Sequence, residues 1–230
     1  MNQQFGQVYQ GRSLSQTDGH RVMRNTYWLL ALSMVPTILG AWLGVQMNFT
    51  LLAGGSFIGF IVAMAIAYGF IYAIEKTKNS SMGIAVLLGF TFFMGLMLSR
   101  LVGHTLGYSN GGILVMTAFG GTATILGVMA TIATVSKRDF SGMGKWLFAG
   151  VLVILVAGVA NMFLHLPALY LMVSVLAIGI FSAYILHDVQ QVINGGETNY
   201  ISATLSIYLD LYNIFANLLA LLGIFGGERD

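Results

Sequence analysis

The chain has 230 residues, of which 57% are hydrophobic and only 8% charged, with a formal net charge of +2 and a mean hydropathy of +0.82. A soluble globular domain carries about 25% charged residues, so the composition excludes a water-soluble enzyme and a disordered chain, and so small a net charge builds no nucleic-acid face. With no cysteine, a disulfide framework, an iron–sulfur cluster and a cysteine-based zinc site or nucleophile are excluded as well.

Residues 1–26 are polar and include Arg12, Asp18, His20, Arg21 and Arg24. The apolar run behind them is longer than a secretory signal allows and merges into a chain that stays hydrophobic. The segment reads as a retained, flexible tail.

Seven apolar stretches follow, each near the ~20 residues that cross ~30 Å of hydrocarbon. They are Tyr27–Met47, Thr50–Ile74, Met82–Val102, Gly111–Val135, Trp146–Leu166, Ala168–Ile193 and Ile201–Phe225. The connections are short, including a turn at Pro167, and leave no space for a second domain. No alternating β-barrel pattern is present, so only helices satisfy the backbone in lipid. The expected fold is an all-α membrane protein: a seven-helix bundle over 27–225, with a short C-terminal tail at 226–230. Gly40–Gly44 and Gly55–Gly59 have the GxxxG spacing, which reads as internal helix packing rather than a dimer seam.

Lys and Arg set the orientation. Arg12, Arg21, Arg24, Lys76, Lys78, Lys137, Arg138 and Lys145 fall on one side of seven spans; Arg100 and Arg229 fall on the other. The N-terminus is therefore expected in the cytoplasm and the C-terminus outside. The sixth connection, with Glu197 and no basic residue, is the weak point of that reading.

Arg100, His104 and His165 sit near the outer boundary, where polar side chains reach headgroups, and four scattered histidines form no metal cluster. Asp188 and Asp210 are different: they are acids set within the last two stretches. An intramembrane carboxylate is a functional-site candidate by default. At about 1.5 Å per residue, Asp188 lies roughly 8 Å and Asp210 roughly 13 Å from the same end, and the Gly195-Gly196 connection makes their helices antiparallel neighbours. Ser202, Ser206, Asp210, Asn213 and Asn217 recur at helical spacing, as do Tyr184, Asp188 and Gln191. Two close carboxylates resist double ionisation and share a proton. Such a pair is a proton-sensitive latch between two helices, and once ionised it attracts a cation. Calcium takes six to eight oxygen ligands; Asp188 and Asp210, with Ser206, Asn213, Asn217 and water, offer a weak, transient passage site. No resident cofactor is expected. Interhelical hydrogen-bonding glue is the plainer alternative.

Other membrane classes fit less well. A retinal protein needs a lysine in its last helix, and residues 201–225 contain none. An intramembrane aspartyl protease carries Gly-x-Gly-Asp, whereas Asp210 follows Ile207-Tyr208-Leu209. An inverted-repeat transporter shows internal symmetry that is not clear here. No enzymatic activity is expected.

At Ser182-Ala183-Tyr184-Ile185-Leu186-His187-Asp188 and Ser206-Ile207-Tyr208-Leu209-Asp210-Leu211-Tyr212-Asn213, continuing to Gly223, the chain resembles the Bax inhibitor-1 family. The resemblance implies seven helices with the last one central, and a pH-sensitive calcium leak gated by an aspartate pair that matches Asp188 and Asp210. Tyr184, Ser206, Asn213 and Asn217 would then line the path. Three further stretches, Met23–Tyr27, Asn161–Leu169 and Gly195–Ile201, resemble bacterial inner-membrane members that bind and modulate the membrane protease FtsH. For those members a cytoplasmic N-terminal tail is the protease's handle, a part residues 1–26 would fill. In the calcium-leak members an arginine near the end of helix two pairs with the helix-seven aspartate. This chain instead reads Glu75-Lys76-Thr77-Lys78. Lys76 or Lys78 is the candidate cationic partner, without the bidentate fork of arginine, and Glu75 competes for the place.

Overall fold

A computed structural model describes residues 2–49 and 57–228, with side chains from Gly19 onward. Its helices are α1 (Asn2–Gln46), α2 (Phe57–Thr77), α3 (Ser81–Leu106), α4 (Gly111–Val135), α5 (Gly144–Leu164), α6 (Pro167–Ile193) and α7 (Tyr200–Gly226). One 3-10 turn, Ser141–Met143, leads into α5, and no strand occurs among the described residues. All seven helices are long and apolar enough to cross a membrane, α1 through its Gly19–Gln46 portion. Several of their hydroxyl residues are satisfied locally: Ser33 donates to the Leu29 carbonyl, Thr122 to Ala118 and Ser182 to Ile178. Such back-bonding lets polar side chains sit in a helix without a partner from elsewhere.

The helix ends differ from the expected ones in three places. The polar first segment is continuous with the first span. A Cβ at Gly19 would lie 3.4 Å from the Val192 and Ile193 carbonyls, and Thr26 is fully buried. Residues 19–26 therefore belong to the bundle, packed on the end of α6 and the start of α7. Pro167 does not make the turn between α5 and α6. It occupies the first turn of α6, where its missing N–H costs nothing. The chain reverses instead at His165, which has a left-handed φ of 51° and follows the last residue of α5. Finally, α2 continues through Thr77, which keeps Glu75 and Lys76 helical. The expected start of that span at Thr50, and Gly55 of the second glycine pair, lie outside the described residues.

The most extensive helix pairing joins α1 and α3, and glycine makes it possible. A Cβ on Gly40 would strike the Phe92 carbonyl, and one on Gly95 the Thr37 carbonyl; one on Gly44 would come within 2.5 Å of Ser99 Cβ. Gly40 and Gly44 thus serve a seam inside the molecule, as their spacing suggested.

Helix α7 packs against α1, α2, α3, α4 and α6. Asn199 caps it, accepting from the N–H groups of Ile201 and Ser202. Tyr208, only 1% exposed, ties it inward: its hydroxyl lies 2.8 Å from Thr37 Oγ1 on α1 and 3.4 Å from the Thr91 carbonyl on α3. By contrast, α5 rests chiefly on α6 and turns large apolar side chains such as Phe148 and Val156 outward. Trp28 and Trp146 are exposed and follow the basic residues Arg24 and Lys145 in sequence.

Candidate functional site

The acids occupy two environments. Asp188, in the penultimate turn of α6, is partly accessible and forms one wall of a polar cavity of about 320 Å³. Gln191, Gly196, Glu197 and Ser206 complete that wall. The cavity lies where α6, the sixth connection and the first turns of α7 meet, at the basic end of the bundle. Asp210 is deeper and 5% exposed. Its Oδ2 is buried with no hydrogen-bond donor in reach. A buried carboxylate oxygen without a donor is costly, and a proton on the carboxyl group lowers that cost. Asp188, Asp210 and Tyr184 lie within electrostatic range of one another.

The polar stripe of α7 does not act as one surface. Ser206 is exposed at the cavity beside Asp188. Ser202 turns the other way, donating to Glu75 Oε1 on α2 at 3.0 Å. Asn213 donates to its own helix at the Leu209 carbonyl and borders a separate, apolar cavity of about 660 Å³ with Met94, Phe181 and Tyr212. Asn217 donates to the Asn213 carbonyl, 2.8 Å away. The two asparagines spend their amide donors on local carbonyls, and the two serines meet different neighbours.

Neither candidate lysine reaches the aspartates. Lys78 Nζ is 2.6 Å from Glu75 Oε2, which holds its ammonium proton more firmly than usual. Lys76 stands over the Tyr72 ring, 4.8 Å from its centre. Glu75, the competitor, is engaged by Ser202 and Lys78 instead of a cation near Asp210.

Three residues at this end were not among the candidate site residues of the sequence reading. His187 Nδ1 lies 2.9 Å from Asp188 Oδ1. Gln190, buried on the opposite side of α6, holds the α4–α5 connection by donating to the Arg138 carbonyl at 2.7 Å and accepting from the Phe140 N–H. Glu197 joins the cavity from the sixth connection. The only available signal for His187 was its adjacency to Asp188; nothing in the spacing separates Gln190 from Gln191. Among the described residues no three His, Asp or Glu side chains gather into a metal-holding group.

Comparison with known proteins agrees with the architecture. The profile of the family described as inhibitor of apoptosis-promoting Bax1 matches residues 19–227. The modulator of FtsH protease YccA of Escherichia coli K12 is 39% identical over 204 residues, covering 89% of this chain and 90% of that protein. An uncharacterized protein of Neisseria meningitidis serogroup A is 37% identical over 209 residues, covering 90% of this chain and 92% of its own. An uncharacterized membrane protein of Vibrio cholerae is 35% identical over 214 residues, covering 92% and 93%. Seven membrane-length helices, an aspartate on each of the last two and a match from Gly19 onward lead to one assignment: the chain belongs to the Bax inhibitor-1 family.

Proposed function

We propose that this is a multipass protein of the bacterial inner membrane in which Asp188 and Asp210 form a proton-held closure of a cation path, with calcium as cargo. The basic end faces the cytoplasm and α7 is the central helix of the path. The observation that carries this reading is the Oδ2 of Asp210, buried without a donor on a helix packed beside Asp188. Structural glue explains serines and asparagines, but an amide joins helices at lower desolvation cost than a carboxyl group. With the proton present, α6 and α7 stay together and the path is shut. Once it is lost, two negative charges repel, the helices part, and a cation entering from the Asp188 cavity compensates them. Ser206 lies at that entrance; Asn213 and Asn217 line the path further along. With two carboxylates the site suits passage, not storage.

Cation flux into proteoliposomes across a pH series tests this. Asp188→Asn and Asp210→Asn should each flatten the pH dependence, and the double change should add little, because each single already destroys the shared-proton unit. Unaltered pH dependence in both singles overturns the reading.

A second reading follows from the name of the Escherichia coli relative as a modulator of FtsH protease: association with FtsH through the polar N-terminal segment. Deleting residues 2–18 stops short of the packed Gly19. The deletion should leave ion flux intact under the first reading and lengthen the protein's lifetime in cells under the second.

A further inference from the structure

We infer that His187 is a positioning residue for the acid pair: its Nδ1–H orients the Asp188 carboxylate, and its packing on Gly144 links that carboxylate to the start of α5. The inference rests on the role proposed above for Asp188 and Asp210. On its far side, the imidazole presents Nε2 to the side-chain Nε2 of Gln191 at 3.3 Å. A carboxylate oxygen only accepts, so Nδ1 carries the proton that is donated to Asp188 Oδ1 at 2.9 Å.

The ring is held in place. Tyr184, one turn earlier, meets it edge-on at 6.3 Å and 81°. On the α5 side there is no side chain at all: a Cβ on Gly144 would lie 3.0 Å from Nε2. A Cβ at residue 144 would crowd the imidazole, which would have to give by a few tenths of an ångström. The His187 side chain is 14% exposed and that of Asp188 19%, so the hydrogen bond between them is largely shielded from water. Gln190, on the same helix, fixes the rest of the α4–α5 connection. Movement of α5 relative to α6 therefore reaches Asp188 through one ring.

Three substitutions test this. The amide nitrogen of asparagine stands close to the place of imidazole Nδ1, while that of glutamine reaches the place of Nε2. His187→Asn should preserve cation flux at fixed pH to within about twofold, whereas His187→Gln and His187→Phe should change it roughly tenfold, the scale of one hydrogen bond to a charged group. Gly144→Ala, which crowds the ring, should shift flux in the same direction as His187→Phe but by less, and the pair together should add little beyond His187→Phe. Infrared spectra of the full-length protein in nanodiscs supply a readout independent of flux, with the Asp188 carboxyl bands assigned by difference against Asp188→Asn. Those bands should shift in His187→Phe and return in His187→Asn. Wild-type bands in His187→Phe would overturn the inference, whatever the flux shows. If the bands shift but Asp188→Asn leaves flux unchanged, His187 positions Asp188 as inferred and the leak reading is what fails.

Discussion

Ser202 on α7 donates its hydroxyl to Glu75 Oε1 on α2 across 3.0 Å, while Oε2 of the same carboxylate takes Lys78 at 2.6 Å. One glutamate thereby joins the end of α2 to the first turn of α7, and the Lys78 pair alone would achieve little because it is exposed. The buried partner is Ser202, at 6% exposure. Glu75→Ala should therefore cost about 1–2 kcal/mol by leaving that hydroxyl unpaired. At this chain length that is roughly 2–8 °C in Tm, measurable by thermal unfolding in detergent. Lys78→Ala should change Tm by less than about 2 °C. Equal effects of the two substitutions would show that the ion pair, not Ser202, carries the contact.

The α1–α3 seam makes a sharper prediction. Gly40→Ala and Gly95→Ala each drive a methyl group into a backbone carbonyl, of Phe92 and Thr37 respectively. Backbone cannot rotate away as a side chain can, so each should cost about 1–3 kcal/mol, the usual penalty of overpacking. Gly120→Ala meets nothing within 4 Å and should be neutral or stabilising by about 0.5–1 kcal/mol, since alanine loses less backbone entropy in a helix. Thermal unfolding of the three variants decides it; a stable Gly95→Ala protein would place α1 and α3 further apart than described.

At the opposite end, Asn110 clamps the chain end. Its Nδ2 donates to the Gly226 carbonyl at 2.6 Å and its Oδ1 accepts from the Glu228 N–H at 3.2 Å. Ser109 adds a backbone N–H to the Glu228 carbonyl at 3.2 Å. Asn110→Ala removes both side-chain bonds, a loss of about 1–3 kcal/mol at about 0.5–1.5 each. Carboxypeptidase trimming of the detergent-solubilised protein should quicken at least several-fold in this variant, read by mass spectrometry. Unchanged trimming would mean the last turn of α7 holds the terminus without Asn110.

The sequence by itself determined the architecture, because a bilayer leaves few choices. With 8% charged residues and seven apolar runs of membrane length, each backbone must satisfy itself as a helix. The packing role of Gly40 and Gly44 was legible for a related reason: close approach needs small residues at helical spacing, and both conditions are visible in a string of letters. Asp188 and Asp210 stood out because charge in an apolar run is expensive wherever the run packs. What only the tertiary structure decided was which groups meet. Ser202 and Asn213 recur with Asp210 at helical spacing, yet one finds Glu75 on α2 and the other its own Leu209 carbonyl. Lys78, a candidate partner of the helix-seven aspartate by family resemblance, pairs instead with Glu75, three residues away. His187 gained its role from Gly144, 43 positions earlier, whose missing side chain makes room for the ring. Periodicity assigns a residue to a face, but a hydrogen bond goes to whichever partner lies within about 3 Å, and that is settled by how the helices pack.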